Sequence, residues 1–208
     1  MAGEHAGDPA ERSNVVADGR VARSQRTREA VVGALLALLS EGNPRPTARE
    51  IAERAGVSLR SVYVHFDDVE DLYCEAARQE GQALAGLLRQ LPADGPFDAR
   101  LAAFVDQRVL LFETIGPVRR AAALQEPFSP SLSRILVNGR RFAREETARV
   151  FARELDGRAD RLAAADLVSS GEAWEQLRVH QGLDPDTARG VVRETLTRVL
   201  HPGGKGRV

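Results

Sequence analysis

The stretch "TAREIAERAGVSLRSVYVHF", residues 47–66, decides how the chain is read. It opens on a capping box, in which the Thr47 hydroxyl and the Glu50 carboxylate satisfy first-turn amides. The short helix that follows ends near Ala55–Gly56, where glycine can take a positive φ. Ser58 starts a second helix ending near Phe66. At about 100° per residue, that helix puts Leu59, Val62 and Phe66 on one side. Arg60, Ser61, Val64 and His65 fall on the other, with Tyr63 at the border. The apolar side can pack on Ile51, Ala52 and Ala55. The other side offers a guanidinium, a hydroxyl, an imidazole and a phenol to something outside the chain.

On both sides of this stretch the periodicity is helical, and strand signals are nearly absent. Residues 1–22 read as a disordered N-terminal tail and residues 202–208 as a C-terminal one. A first helix is expected from about Ser24 to Ser40, with Val31, Ala34, Leu35, Leu38 and Leu39 on one face. It stops before the breakers of "EGNPRP". "DDVE", residues 67–70, offers Asp67 as the cap of a fourth helix whose buried side carries Leu72, Ala76, Leu84, Leu87, Leu88 and Leu91. Beyond it lie amphipathic stretches at about 97–115, 117–126, 131–156, 159–181 and 185–200. The expectation is an all-α chain of about nine helices: a three-helix head over residues 23–68 and a larger helical body over residues 69–201.

The composition suits a soluble globular protein, with 43% hydrophobic and 28% charged residues in 208. No apolar run approaches the roughly 20 residues of a membrane span, and the N-terminus lacks the apolar segment of a secretory signal. A cytoplasmic location is expected. The single Cys74 excludes an internal disulfide or a cysteine-based metal cluster. Net charge is −1, but its distribution is uneven. Residues 20–66 hold eight arginines against four glutamates, whereas residues 1–19 sum to −3 and residues 67–208 to −2.

Two short helices joined by a tight, glycine-containing turn form a helix-turn-helix unit, whose second helix can enter the major groove of DNA. Residues 26–72, "RTREAVVGALLALLSEGNPRPTAREIAERAGVSLRSVYVHFDDVEDL", resemble the DNA-binding domain of the TetR family of transcriptional regulators. The pieces that carry the resemblance are "T..EIA..AGVS", then "VY.HF", then an acidic residue and Leu72. The helical body resembles that family's ligand-binding and dimerisation domain in length and architecture only.

The resemblance implies that Thr47, Ser58, Ser61, Tyr63 and His65 touch the phosphate backbone, and that Leu59, Arg60 and Val64 face base edges. The chemistry agrees. Hydroxyls and an imidazole donate to phosphate oxygens, and an arginine can bind guanine O6 and N7 together. Two positions depart from the family pattern. Val69 stands where a lysine is usual, and Arg60 replaces a small residue. The implied partners are a palindromic double-stranded DNA operator, a second copy of the chain and a small-molecule effector, with the helices at 159–181 and 185–200 as the dimerising pair. The function implied is a ligand-responsive repressor. The alternative is a helical protein-interaction module with DNA binding weakened or lost, for which Val69 and the Asp67–Asp68 pair speak.

Six of the seven phenylalanines lie between residues 97 and 151. Phe104, Phe112 and Phe142, with Trp174, are the candidates to line an effector pocket, and the Leu, Val and Phe content suits an apolar ligand. An enzyme is not expected. Of the four histidines, at 5, 65, 180 and 201, none sits in a nucleophile or metal motif, and neither a phosphate-binding loop nor a cofactor signature is present.

Overall fold

The computed structural model describes residues 9–201, with side chains described from residue 21 onward except that of Leu87. Among these residues there is no strand. The chain divides within a helix, at Ala76/Ala77, into two compact units.

The first unit contains α1 (Pro9–Ser40), α2 (Ala48–Ala55), α3 (Leu59–His65) and the start of α4 (Val69–Leu87). α1 begins well before Ser24, so residues 9–22, expected to be tail, are helical, while residues 1–8 lie outside the described residues. The reason is local. Pro9 suits the first helical position, and between it and Ser40 only the isolated glycines 19 and 33 disfavour helix. Val31, Ala34, Leu35 and Leu39 are buried as their spacing predicts, and Val32 joins them. α1 packs on α2 and α3, where Ile51, Ala52 and Val62 are buried.

The turn between α2 and α3 is built as its residues dictate. Thr47 caps α2 in a full capping box with Glu50. Gly56 closes the helix at φ 68°, a left-handed conformation that would cost an L-residue roughly 1–2 kcal/mol. The Ser58 hydroxyl caps α3 by accepting from the Ser61 amide at 3.0 Å. α4 is capped one residue later than expected, by Asp68, which accepts from the Asp71 amide at 2.8 Å. Asp67 is exposed.

The second unit holds the rest of α4, then α5 (Phe97–Gln125), a 3-10 turn (Glu126–Phe128), α6 (Pro130–Val150), α7 (Ala152–Leu155), α8 (Ala159–Val168), α9 (Gly171–Glu175), a π-helical turn (Gln176–His180) and α10 (Pro185–Leu200). Three stretches differ from the sequence expectation, and the first, 131–156, breaks at Phe151 into α6 and α7. α5 runs unbroken through "IGP" at 115–117, because Pro117 removes one backbone bond while buried Val109, Val118, Ala121 and Ala122 anchor the helix on both sides. The stretch 159–181 is instead two helices. Ser169 and Ser170 end α8, and the Ser170 hydroxyl accepts from the Ala173 amide at 3.1 Å to start α9. That serine cap was legible in "SSGEA".

α10 packs against α5 and α8, and α6 against α5 and α8. Their shared core contains Leu101, Phe104, Val105, Phe151, Leu196 and Leu200. Phe104 and Phe151 meet edge-on, ring centres 5.0 Å apart. Two arginines are buried with this core. Arg100 bridges the Glu154 carboxylate and the Gly95 and Val150 carbonyls, so each of its guanidinium nitrogens finds an acceptor. Arg108 donates to the Ala143 carbonyl and pairs with Glu146.

Trp174, the chain's single tryptophan, is buried and donates its indole N–H to Glu113 Oε1 at 2.8 Å, which Arg178 Nε also reaches at 2.8 Å. The Arg178 hydrogen bond, then that of Trp174, holds the Glu113 carboxyl below its ordinary value near 4.5 against the opposing effect of burial. A depressed carboxylate contributes stability that is present above its unfolded pKa and is lost as pH falls through the folded one. Trp174 fluorescence should therefore titrate on acidification with a midpoint below 4.5, and Glu113→Gln should remove that titration.

Candidate nucleic-acid interface

α3 has only seven residues, too few to be stable in isolation, where about 12–15 are needed for marginal helicity. Its geometry is imposed from outside. Val62 and Phe66 are buried and anchor its inner face. Its N-terminus is fixed by the Ser58 cap, and its C-terminus by an arginine from α1. Arg28 Nη1 donates to the His65 carbonyl at 2.7 Å, and its guanidinium lies 4.4 Å over the Phe66 ring. The same group pairs with Glu75 of α4 at 3.3 Å. One side chain thus ties the end of α3 to two other helices.

The outer face of α3 is open. Tyr63 is 52% and Val64 69% exposed, and Leu59 and Arg60 are exposed beside them. Ser61 and His65 are half-buried, and Ser58 is exposed. The Ser58 and Ser61 hydroxyls lie 2.8 Å apart. One donates to the other, which leaves one proton of the pair to offer outward. Thr47 is exposed at the start of α2, but its hydroxyl donates to Glu50 Oε2 at 2.7 Å. Hydrogen bonds from the Thr47 amide, then its hydroxyl, hold the Glu50 carboxyl below its usual range. A phosphate at Thr47 would compete with that carboxylate for the hydroxyl.

The eight residues predicted as contacts therefore lie on α3, its cap and the cap of α2. Leu59 falls at the edge of the inner face and is open rather than buried. Among the arginines of this basic segment, Arg54 is taken up in a forked pair with Glu41, whereas Arg49 and Arg60 are exposed. Val69, in the position where the family pattern has lysine, is half-buried at the first residue of α4.

Arg28 was not singled out from the sequence, though a signal exists. It lies at the head of the stripe formed by Val31, Val32, Leu35 and Leu39, and an arginine on an apolar stripe needs a partner for its head group.

The four effector-pocket candidates separate in the second unit. Phe104 is fully buried in the core, and Phe142 is 60% exposed. Phe112 and Trp174 do line a common cavity, together with Val105, Arg108 and Val168. That cavity measures about 10 Å³, room for roughly one water molecule.

A helix-turn-helix head with an open second helix is followed by an all-helical unit. Residues 32–76 match the family of bacterial regulatory proteins of the tetR type, ending where the first unit ends. Over most of its length the chain has the fold of solved transcriptional regulators. A transcriptional regulator from Rhodococcus sp. Rha1 superposes with a TM-score of 0.64 at 22% identity, covering 86% of this chain and 96% of that one. A putative transcriptional regulator from Pseudomonas aeruginosa PAO1 gives 0.59 at 17%, covering 87% and 91%. The multidrug binding protein EbrR, complexed with imidazole, gives 0.54 at 18%, covering 96% and 97%. At these identities the likeness is one of fold. No curated protein matches significantly.

Removing the Arg28 clasp should loosen the last turn of α3 while sparing the second unit. In Arg28→Ala, amide exchange at residues 62–66 should accelerate by about tenfold, the loss of roughly 1.4 kcal/mol expected for a charge-assisted hydrogen bond. Hydrogen exchange read by NMR or mass spectrometry checks it.

Proposed function

We infer that the protein represses transcription by binding a palindromic operator as a homodimer, and that a small apolar effector releases it. The observation that carries the DNA-binding part is the outer face of α3: exposed Leu59, Arg60, Tyr63 and Val64 on a helix held at both ends. Arg60 reads guanine, while Leu59 and Val64 meet thymine methyls or exclude bases by shape. Thr47, Ser58, Ser61, Tyr63 and His65 position the helix on phosphates.

The dimer follows from operator geometry. Two such helices about 34–36 Å apart span one turn of DNA and read two half-sites. The segments at 159–181 and 185–200 form the interface in this reading. Leu167 and Val191, exposed on α8 and α10, are apolar groups that such an interface would cover. Release requires that the effector bind the DNA-incompetent form more tightly than the competent one; equal affinity shifts nothing. Phe112 and Trp174, lining one cavity in the body, support an apolar effector there. EbrR, the multidrug binding protein of similar fold, is a precedent for ligand binding.

The test is selection of sites from a random duplex library by the purified protein and by Arg60→Ala. A palindromic consensus is expected, with the variant losing preference at one position per half-site and about 1–3 kcal/mol of discrimination there. Binding should also weaken steeply with salt, with a log–log slope near −0.9 per phosphate contacted. Enrichment of nothing, even at low salt, would point instead to a protein-interaction module.

A further inference from the structure

α1 does not end with the head it helps to build. Its buried stripe begins at Val31, and residues 21–26 are all exposed, including Val21 at 68%. The helix nonetheless continues back to Pro9. The stretch before the stripe contains "GRVARSQRTR", residues 19–28, with four arginines and no acid. Arg28 is taken up by the clasp on the His65 carbonyl, the Phe66 ring and Glu75. Arg23 and Arg26 are exposed, and neither has a carboxylate partner among the described residues. Arg26 Nε reaches only the Ala22 carbonyl of its own helix, at 3.3 Å. Glu29, three residues on from Arg26, accepts from Gln25 at 2.9 Å instead.

Exposed arginines of the second unit behave differently. Arg153, Arg158 and Arg198 pair with Asp94, Asp160 and Glu194 at 2.7, 2.6 and 2.8 Å. In the head, exposed Arg49 and Arg60 share with Arg23 and Arg26 the lack of such a partner among the described residues. The clasp fixes where the two α1 cations stand. Arg28 ties α1 to the last turn of α3, so the helix leaves the head beside His65. At about 1.5 Å per residue, Arg26 and Arg23 follow about 3 and about 7.5 Å further along the axis. In the DNA-bound arrangement inferred above, His65 lies against a phosphate at the edge of the major groove. The strand bearing that phosphate runs on past the half-site, with one charge per about 3.4 Å of helix axis. A membrane surface fits the segment less well. Val21 and Ala22 are the only apolar side chains of residues 19–28, too few for the apolar face of an interfacial helix.

We propose that the part of α1 ahead of Arg28 is a second DNA-contacting element, in which Arg23 and Arg26 bind backbone phosphates outside the half-site read by α3. The proposal rests on the DNA-binding reading above and adds to it a surface that the helix-turn-helix does not contain. Phosphates are alike from one base pair to the next, so these contacts carry no sequence information. They add affinity, salt dependence and a longer footprint. With two arginines from each of two protomers, four phosphates are neutralised. The released counterions then contribute about 3.6 to the log–log salt slope. That is roughly a hundredfold in affinity between about 50 and about 200 mM salt.

The experiment measures duplex affinity of the full chain against salt concentration. The probe is the duplex that the unmodified protein selects from the random library. It is used once trimmed to its half-sites and once extended by about half a helical turn at each end. The unmodified protein should bind the extended duplex at least about tenfold more tightly. Arg23→Gln/Arg26→Gln removes both charges at exposed helical positions, where glutamine is nearly as good a helix former. This variant should lose the preference for the extended duplex and keep the selected consensus. Its salt slope there should be shallower by about 3.6, and by no less than about 1.8, the value for two arginines at one half-site. Arg89→Gln/Arg134→Gln removes the same charge from exposed positions of the second unit and should leave the slope unchanged. A smaller change in slope, an equal change in this control, an altered consensus, or no gain from the flanks in the unmodified protein would overturn the proposal. If a duplex is selected and only these α1 effects fail, the assignment of α1 falls and the regulator reading stands. If no duplex is selected, the regulator reading falls and takes the α1 contacts with it.

Discussion

A seven-residue helix has no stability of its own, and that constraint organises the first unit. α3 must leave its outer face bare, so it cannot be held by burial all round. It is held instead by two apolar side chains on one face, a serine cap at one end and the Arg28 guanidinium at the other. Arg28 is suited to the last task because its charge sits over the Phe66 ring while its N–H groups reach both the His65 carbonyl and Glu75. A lysine ammonium has no planar face to lay on the ring and no fork to divide between two acceptors. Everything the outer face can do depends on that helix being placed.

The second unit solves a different problem, which is how to bury charge in a core of Leu, Val and Phe. Arg100 does it by complete satisfaction, with carbonyls and a carboxylate around the guanidinium. Arg108 does it incompletely. Stability alone would favour the complete solution, because a partly satisfied buried network is worse than an apolar one. Arg108 also lines a cavity of about 10 Å³, whereas Arg100 sits by the close-packed ring of Phe151.

Much of the fold was legible because its signals are local. The Thr47–Glu50 capping box, Gly56 in its left-handed turn and the Ser58 cap each depend on residues within four positions of one another. Misreadings came where distant packing overrode a local signal. Pro117 reads as a break, yet α5 continues because buried residues on both sides outweigh one lost hydrogen bond. Asp67 and Asp68 are equivalent as caps on paper, and only the path of the chain after Phe66 selects Asp68.

By itself, then, the sequence determined the all-α class, the helix-turn-helix and the residues on the outer face of its second helix. These follow from a helical period and from caps that act over a single turn. Tertiary structure alone decided which phenylalanines share a cavity, sending Phe104 to the core and Phe142 to the surface while Phe112 meets Trp174. It alone brought Arg28 to a carbonyl 37 positions away and left Arg108 one acceptor short. Hydrogen-bond partners so far apart in the chain are chosen by how helices pack, and no local pattern encodes that choice.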